Sequence, residues 1–237
     1  MIEELNEIYK QVMKDPINIP SDVMKRFWKL VGQIKRTPNP NKEIVAKASE
    51  IHDILYSHKY GGSIPLWFTL PIWFVIGIVC LYGFLYSVFH NVWGGIEGIR
   101  HGTIWWTMVA FYPFGRLIAG KMYGIKFDGL ALTYYIFPTL KTNYSSYLTT
   151  SPPKRKWFFF FSGSWTVIVT GILGIIGFAV TGDIITLVPF TILVVAELIS
   201  ITGILGKWGA EMGNFHRERK IVHDWRKLVE KNSLTNS

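Results

Sequence analysis

The stretch I-P-L-W-F-T-L-P-I-W-F-V-I-G-I-V-C-L-Y-G-F-L-Y-S-V-F-H, residues 64–90, contains no Asp, Glu, Lys or Arg. As a helix it would rise about 1.5 Å per residue and would exceed the roughly 30 Å hydrocarbon layer of a bilayer. An uncharged run of this length predicts a transmembrane helix, and this decides the class of the fold.

Three more apolar segments follow, at 103–121, 157–180 and 184–206, and 103–121 is the shortest of them. Charged residues make up 17% of the chain, whereas an average soluble domain carries about a quarter. Tryptophans stand towards segment ends, as in interfacial aromatic belts: Trp67, Trp73, Trp105, Trp106 and Trp157. We therefore predict an all-α integral membrane protein with about four transmembrane helices, which form a transmembrane domain over 61–206.

The regions outside these spans have amphipathic patterns. Residues 1–60 are polar with apolar side chains at helical spacing, which predicts two or three short helices. The tail 207–237 has the same spacing and predicts an amphipathic helix, either on the membrane surface or docked against the N-terminal region. In the loop 121–156, a loose alternation of apolar and polar residues after Phe127 indicates a short β-hairpin.

The distribution of Lys and Arg predicts the orientation. Ten of the 25 lie in 1–60, six in 121–156 and seven in 207–237, whereas the loop 91–102 has Arg100 alone. Basic loops remain on the cytosolic side of membranes. We expect a multi-pass protein of the cell membrane with both termini in the cytosol.

Several functional classes find no support in the sequence. The net charge of +9 is spread between apolar runs rather than gathered on one face, so we expect no nucleic-acid partner. Cys80 is the only cysteine and excludes both an internal disulfide and a thiolate metal cluster. No phosphate-binding or dinucleotide motif occurs in the required strand-to-helix context, and we expect no cofactor.

The segment 112–132 reads Y-P-F-G-R-L-I-A-G-K-M-Y-G-I-K-F-D-G-L-A-L. Its frame resembles the motif helix of the site-2 protease family of intramembrane zinc metalloproteases, H-E-x-G-H-x-x-A-x-x-x-G-[IV]-x-x-x-G. Gly115 and Ala119 match this frame in register, and Gly124, Ile125 and Gly129 have the spacing of its last three fixed positions, one residue further along. The resemblance implies a membrane-embedded site, with a client or substrate that is itself a membrane protein.

The residues that would perform the chemistry are all replaced. On this alignment Tyr112 and Arg116 occupy the two zinc-ligand positions, and Pro113 occupies the position of the general base. A guanidinium is permanently cationic and repels Zn²⁺, and proline has no group that transfers a proton. We therefore predict no catalytic residue and no metal at this site.

A second part of the resemblance lies further along the chain. The basic run 151–156 and the apolar stretch after Trp157 are similar to the family's helix bearing G-P-x-x-N. Gly163 matches, but Ser164 and Val167 replace the Pro and the Asn, and 184–206 has no counterpart of the family's later Asp ligand. The matches extend over about 100–167, so the element that organises the active site is also altered.

Arg116 and Glu197 are the ionisable residues deepest in the apolar spans. A charge inside a membrane is costly, so each requires a partner or a polar surrounding. The two residues could pair with each other. Alternatively, Arg116 extends to the cytosolic interface and Glu197 faces a polar cavity.

His90, Glu97 and His101 flank the loop 91–102 and carry possible metal-ligand groups. Their spacing is not diagnostic of a zinc site, and a solvated loop with ordinary interfacial histidines explains them better.

Three functions follow from these observations. The first is a catalytically inactive protein resembling site-2 proteases, which binds or regulates a membrane-protein client. The second is a divergent metal-dependent membrane protease that uses His90, Glu97, His101 or Glu197. The third is a small transporter or channel subunit, with Arg116 and Glu197 on its pathway. Membrane lipids are the partners expected in every case, and the sequence gives no oligomeric state.

Overall fold

The computed structural model describes residues 1–90, 97–133, 137–202 and 211–235. The helices and strands are α1 (Ile2–Lys14), α2 (Ser21–Arg36), α3 (Lys42–Tyr60), α4 (Leu66–Phe89), α5 (Glu97–Tyr123), β1 (Phe127–Thr133), β2 (Phe137–Thr142), α6 (Tyr144–Thr149), α7 (Pro152–Thr181), a 3-10 helix (Ile184–Leu187), α8 (Val188–Thr202) and α9 (Glu211–Thr235). The predicted predominance of helix is confirmed.

Three amphipathic helices form at the N-terminus, as their periodicity predicts. The Asn41 side chain accepts a hydrogen bond from the backbone N–H of Glu43 and caps α3, which satisfies a donor that the helix leaves unpaired. The three helices share one apolar core with α6 and with the adjoining ends of α5 and α7. Its fully buried members include Leu5, Phe27, Ile51, Ala119 and Phe158.

Three helical stretches are long and apolar enough to cross a membrane: α4, α7 and the residues Ile184–Thr202. Large apolar side chains on their outer surfaces are exposed, among them Trp67, Val79, Ile175 and Leu198. A soluble protein rarely leaves contiguous apolar surface of this kind open to water. The prediction of a membrane protein is therefore supported at this level.

The predicted second span, 103–121, lies within α5, which is not among these three stretches. The reason is its polar content, since Arg100, His101, Arg116 and Lys121 all belong to this helix. The α5 helix packs mainly between α4 and α7. Ile104 and Ala110 are fully buried there, whereas Trp106 and Ile118 are exposed on the outer side of α5.

Glycines bring the helices of the bundle close together. A Cβ on Gly115 of α5 would lie 2.3 Å from the ring of Trp165 on α7, and one on Gly171 would lie 2.9 Å from Phe190 on α8. No side chain fits at either distance. These glycines allow the ridges of one helix to enter the neighbouring helix, as small residues do in membrane bundles.

The two ends of the bundle differ. At one end Arg100 donates to the Ser87 carbonyl at 3.2 Å and lies 3.7 Å from the Asp183 carboxylate. It therefore joins the end of α4 to the connection between α7 and α8. Arg100 was expected in a loop, but it belongs to the first turns of α5 and is buried.

At the other end lies the β-hairpin, which confirms the prediction for 121–156. Strands β1 and β2 are antiparallel, and Leu130 lies opposite Leu140. Ile64 adds an antiparallel bridge to Leu130, with backbone hydrogen bonds of 2.8 Å. A Cβ on Gly129 would lie 2.8 Å from the Ile64 carbonyl oxygen, so glycine is required where the chain before α4 crosses β1.

The tail helix α9 packs along α7 and α8 rather than standing apart. Met212, Ile221 and Val222 on its inner face are buried. The tail helix is therefore docked within the protein, but mainly on α7 and α8 and only to a lesser extent on α2 of the N-terminal region that was predicted as its partner. Leu228 and Val229 remain partly exposed further along the helix.

Candidate functional site

The α5 helix continues through Pro113, which is buried inside it. Tyr112 and Arg116 are four residues apart and thus lie one turn from each other on the same face. The Arg116 Nη1 donates to the Tyr112 Oη at 3.1 Å. Tyr112 and Arg116, which the resemblance aligns with two zinc ligands, are therefore hydrogen-bonded to each other.

Both side chains reach the same carboxylate oxygen, Oε1 of Glu211 on α9. The Arg116 Nη1 lies 3.0 Å from this oxygen, and the Tyr112 hydroxyl donates a hydrogen bond to it. The side chains of Arg116 and Glu211 are 12% and 9% exposed, so water screens this ion pair little. The site holds one cation, one anion and one neutral donor in mutual contact.

Two of the glycines that match the family's motifs, Gly115 and Gly163, lie close to this ion pair. On α7, a Cβ at Gly163 would lie 3.3 Å from Glu211 and 3.2 Å from Met212, so this position lets α9 approach α7. On α5, Gly115 accommodates Trp165, whose indole Nε1 donates to the Phe111 carbonyl at 3.1 Å. The structure thus brings Tyr112, Pro113, Gly115, Arg116 and Gly163 into one region.

Aromatic rings surround the Arg116 guanidinium. Its central carbon lies 5.4 Å from the centre of the Phe158 ring and 6.0 Å from that of Phe127. Such contacts stabilise a cation that has left water. Arg116 therefore remains inside the protein and does not extend along the membrane surface.

Glu197, which sequence reasoning considered as the partner of Arg116, does not have that role in the described structure. It is buried on α8, and the backbone N–H of Met212 hydrogen bonds to its carboxylate. Its second oxygen, Oε2, has no hydrogen-bond partner within the described residues. Glu211 takes its place, because the start of α9 lies beside Arg116.

The histidines around 91–102 do not form a metal site in the described residues. The His90 Nδ1 lies 3.2 Å from the Tyr86 carbonyl, and the ring stacks on that of Tyr86. The His101 Nε2 lies 3.0 Å from the Ile185 carbonyl. No group of three His, Cys, Asp or Glu suited to a metal occurs where side chains are described, and the Glu97 side chain lies outside that part.

A second buried cluster of charges was missed by sequence reasoning. Glu218 of α9 accepts from the Arg155 Nε at 2.9 Å, from the Lys35 Nζ at 2.9 Å and from the Tyr147 Oη at 2.7 Å. Arg155 also donates to the Lys35 carbonyl at 2.7 Å. Four elements, α2, α6, α7 and α9, meet at this carboxylate.

The charges of this cluster do not cancel, because one carboxylate faces two cations. Burial lowers the pKa of Lys35, although Glu218 opposes that shift. Burial opposes ionisation of Glu218, but Lys35 and Arg155 outweigh it and hold the pKa of this carboxyl below its usual value. Burial, together with Glu218, raises the pKa of Tyr147, so this residue stays a neutral donor.

A cavity of about 910 Å³ lies between the N-terminal helices and the ends of α5 and α7. Lys35 of the Glu218 cluster and Arg116 of the ion pair both line it, as do His52, Tyr144 and Tyr147. The cavity therefore adjoins both charged groups.

No family model, curated protein or solved structure matches this chain. The fold and the site define a helical membrane protein with a buried ion pair between α5 and α9.

Proposed function

We propose that this chain is a non-catalytic membrane protein resembling site-2 proteases, which binds or regulates a membrane-protein client. The observation that carries the proposal is the contact of Arg116 and Tyr112 with Glu211. In the family frame, the first two residues stand at the zinc-ligand positions. A guanidinium beside the carboxylate supplies the positive charge that a metal ion would otherwise bring.

Catalysis would require groups that these residues do not provide. Proton transfer needs a side chain that gains and loses a proton near neutral pH, and Pro113 has none. Arg116 remains charged in any protein environment. A metal would have to bind next to this fixed cation and compete with it for Glu211, which Coulomb repulsion opposes.

The topology that we propose has four spans, with α5 as the second, and both termini in the cytosol. Its support is the clustering of Lys and Arg in 1–60, 121–156 and 207–237. In addition, the chain before α4 pairs with the hairpin and the end of α5 packs with the N-terminal helices. Arg100 joins the opposite ends of α4 and α7. This alternation is the arrangement that consecutive membrane crossings produce.

The outer face of α8 is our candidate for client contact. Ile192, Val195 and Leu198 expose between 49% and 58% of their surface there. The inner face of α8 packs on α9, which carries Glu211. A helix that binds to α8 is therefore connected to the ion pair through one layer of side chains.

Two alternative functions remain distinguishable by experiment. A divergent protease would require protein ligands for a metal ion. In the described part of the chain, His90 and His101 instead lie against backbone carbonyls. A transporter requires that Arg116 and Glu197 share a water-filled path, whereas Arg116 is enclosed by Glu211 and aromatic rings.

The experiment that tests the proposal is site-specific photo-crosslinking in native membranes, with benzoylphenylalanine in place of Leu198. We expect an adduct with a discrete membrane protein. Val79 on α4 is the matched control, because it is 63% exposed and Leu198 is 58% exposed. At Val79 we expect adducts with lipid only. Adducts with the same protein at both positions, or at neither, would remove α8 as the client site.

Metal analysis of the purified protein tests the non-catalytic part separately. We expect zinc well below one equivalent, both in the wild type and in the variant Tyr112→Phe. Stoichiometric zinc together with cleavage of a membrane substrate would establish the divergent protease instead.

A further inference from the structure

We propose that the cavity between the N-terminal helices and the bundle binds a phosphate-bearing anion, held by Lys35 and Lys59. The site is distinct from the client surface on α8, and the proposal does not depend on the client. The membrane supplies such an anion as a lipid headgroup, and the cytosol supplies it as a free phosphate.

The character of the cavity wall favours an anion. Its basic side chains are Lys35, His52, His58, Lys59 and Arg116, and no Asp or Glu lines it. Because Glu218 is shared between Lys35 and Arg155, one positive charge of that cluster has no counterion among the described residues. Lys59 also makes no salt bridge with any residue that the structure describes. An anion in the cavity would balance this excess.

The wall also carries hydrogen-bonding groups without partners. His52 Nδ1, Tyr56 Oη and Arg116 Nε are buried atoms that make no hydrogen bond within the described structure, and all three residues line the cavity. A buried polar atom without a partner costs about 1–3 kcal/mol, so native proteins seldom leave three together. Oxygens of a bound anion would satisfy them.

The protonation state of His52 fits this role. Burial lowers the pKa of its imidazole to about 4, so the ring is neutral at neutral pH and carries one N–H. The ring stacks on Tyr144 with 3.7 Å between the ring centres, which fixes its plane. His52 therefore contributes a positioned hydrogen-bonding group, whereas the lysines contribute charge.

The size and lining of the cavity favour a phosphate ester over a simple ion. A volume of about 910 Å³ falls within the range of sites for molecules of drug size, about 300–1,000 Å³. Apolar side chains line much of the remainder, including Ile17, Trp28, Leu55 and Phe159. Ile17 and Trp28 are 79% and 47% exposed, so apolar surface lies at the opening of the cavity as well.

A phosphate also fits the charge better than an acidic peptide does. A phosphomonoester carries about −1.5 to −2 charges at pH 7, which matches the excess on the Glu218 cluster plus Lys59. A single carboxylate of a peptide would balance only one of these two charges. Lysine binds phosphate as a mobile point charge, without the fixed geometry that arginine imposes.

The test uses the full chain in phosphatidylcholine nanodiscs and measures thermal unfolding and ligand affinity. The probes are inorganic phosphate, phosphatidic acid added to the nanodisc, and a glutamate-rich peptide. We expect phosphatidic acid to raise Tm and the variant Lys59→Gln to bind it about tenfold more weakly, as for one lost charged contact. The variant Lys29→Gln makes the same charge change on α2 outside the cavity, and we expect wild-type affinity.

The outcomes separate the sources. Stabilisation by both phosphate probes, weakened in Lys59→Gln, identifies phosphate itself as the ligand; stabilisation by phosphatidic acid alone identifies the lipid headgroup. Stabilisation by the acidic peptide alone overturns the proposal, as does an absence of stabilisation by any probe. Equal weakening in Lys29→Gln and Lys59→Gln would indicate general surface attraction and would overturn it too. Lys35→Gln serves as a second variant, provided that its Tm shows that it folds.

Discussion

Arg155 and Glu218 lie 63 residues apart in the chain and form an ion pair of 2.9 Å in which the side chains are 1% and 2% exposed. Arg155 is fully buried and also donates to the carbonyls of Lys35 and Thr150. This pair joins the beginning of α7 to α9.

Replacement of Glu218 by Gln should destabilise the protein by about 3–5 kcal/mol, because it leaves two buried cations without their carboxylate. The measurement is thermal or denaturant unfolding in detergent, followed by tryptophan fluorescence. Asp224→Asn, at an exposed ion pair on the same helix, is the control and should cost at most about 1 kcal/mol. Equal losses in the two variants would contradict the role of the buried cluster.

The ion pair between α5 and α9 should show energetic coupling. We expect Arg116→Met and Glu211→Gln each to destabilise by several kcal/mol, and the double variant to lose at least about 1 kcal/mol less than the sum. The cycle of Arg116→Met with Glu197→Gln should show much smaller coupling, since Glu197 is not the partner of Arg116 in the described structure. Stronger coupling of Arg116 with Glu197 than with Glu211 would instead support the Arg116–Glu197 pair that the sequence suggested.

Stability should fall in mildly acidic solution because of His52. Its folded pKa of about 4 lies below the unfolded value of 6.5, so the unfolded chain binds the proton first as the pH falls. Between pH 7 and pH 5 we expect His52 to contribute a loss on the order of 2 kcal/mol in phosphate-free buffer, taken as the difference between the wild type and His52→Phe. His52→Phe keeps an aromatic ring for Tyr144 and should flatten the pH profile in this window. If the slope of stability against pH is unchanged in His52→Phe, other groups cause the effect. Glu218 is not one of them in this window, because its pKa lies below its usual value.

Gly115 should not tolerate a methyl group. A Cβ there would lie 2.3 Å from the Trp165 ring, and we expect Gly115→Ala to destabilise by about 1–3 kcal/mol through overpacking. Gly102 lies on the same helix with open space around its Cβ direction, so Gly102→Ala should be neutral or stabilising by up to about 1 kcal/mol. The measurement is the free energy of unfolding of the two variants, determined in parallel. Equal changes in that free energy would show that Trp165 moves aside.

The proposed topology predicts labelling patterns in intact cells. In a Cys80→Ser background, a cysteine at Asn39 should react only with reagents that reach the cytosol, and a cysteine at Asp183 only with impermeant reagents outside. The basis is the distribution of basic residues. Labelling of position 39 from outside would invert the orientation, whereas labelling of both positions from one side would reduce the number of spans.

The elements of this fold were predictable where local pattern determines structure. The uncharged run 64–90 gave the first apolar helix, and the alternation after Phe127 gave the hairpin. Each depends on residues within a few positions of one another. The polar composition of α5 also explains why 103–121, the shortest predicted span, is not among the three stretches apolar enough to cross a membrane.

The partners within the site were not predictable in the same way. Arg116 was recognisable as a charge that requires compensation, but Glu211 lies 95 positions later, in a polar tail where an acidic residue attracts no notice. Glu218, the partner of Arg155, likewise lies in this polar tail. Burial of a charge near the end of an apolar span could have prompted a search of the tails for its counterion, but the choice among several acids there depends on packing.

The meeting of four elements at Glu218 imposes an order on biosynthesis. Ribosomes make the chain from the N-terminus, so Lys35 and Arg155 emerge long before residue 218 is synthesised. Until then a buried placement of Arg155 lacks its anion and is unfavourable. The helices that insert earlier must therefore wait for α9 before they reach their final packing, because α9 supplies the carboxylate of Glu218.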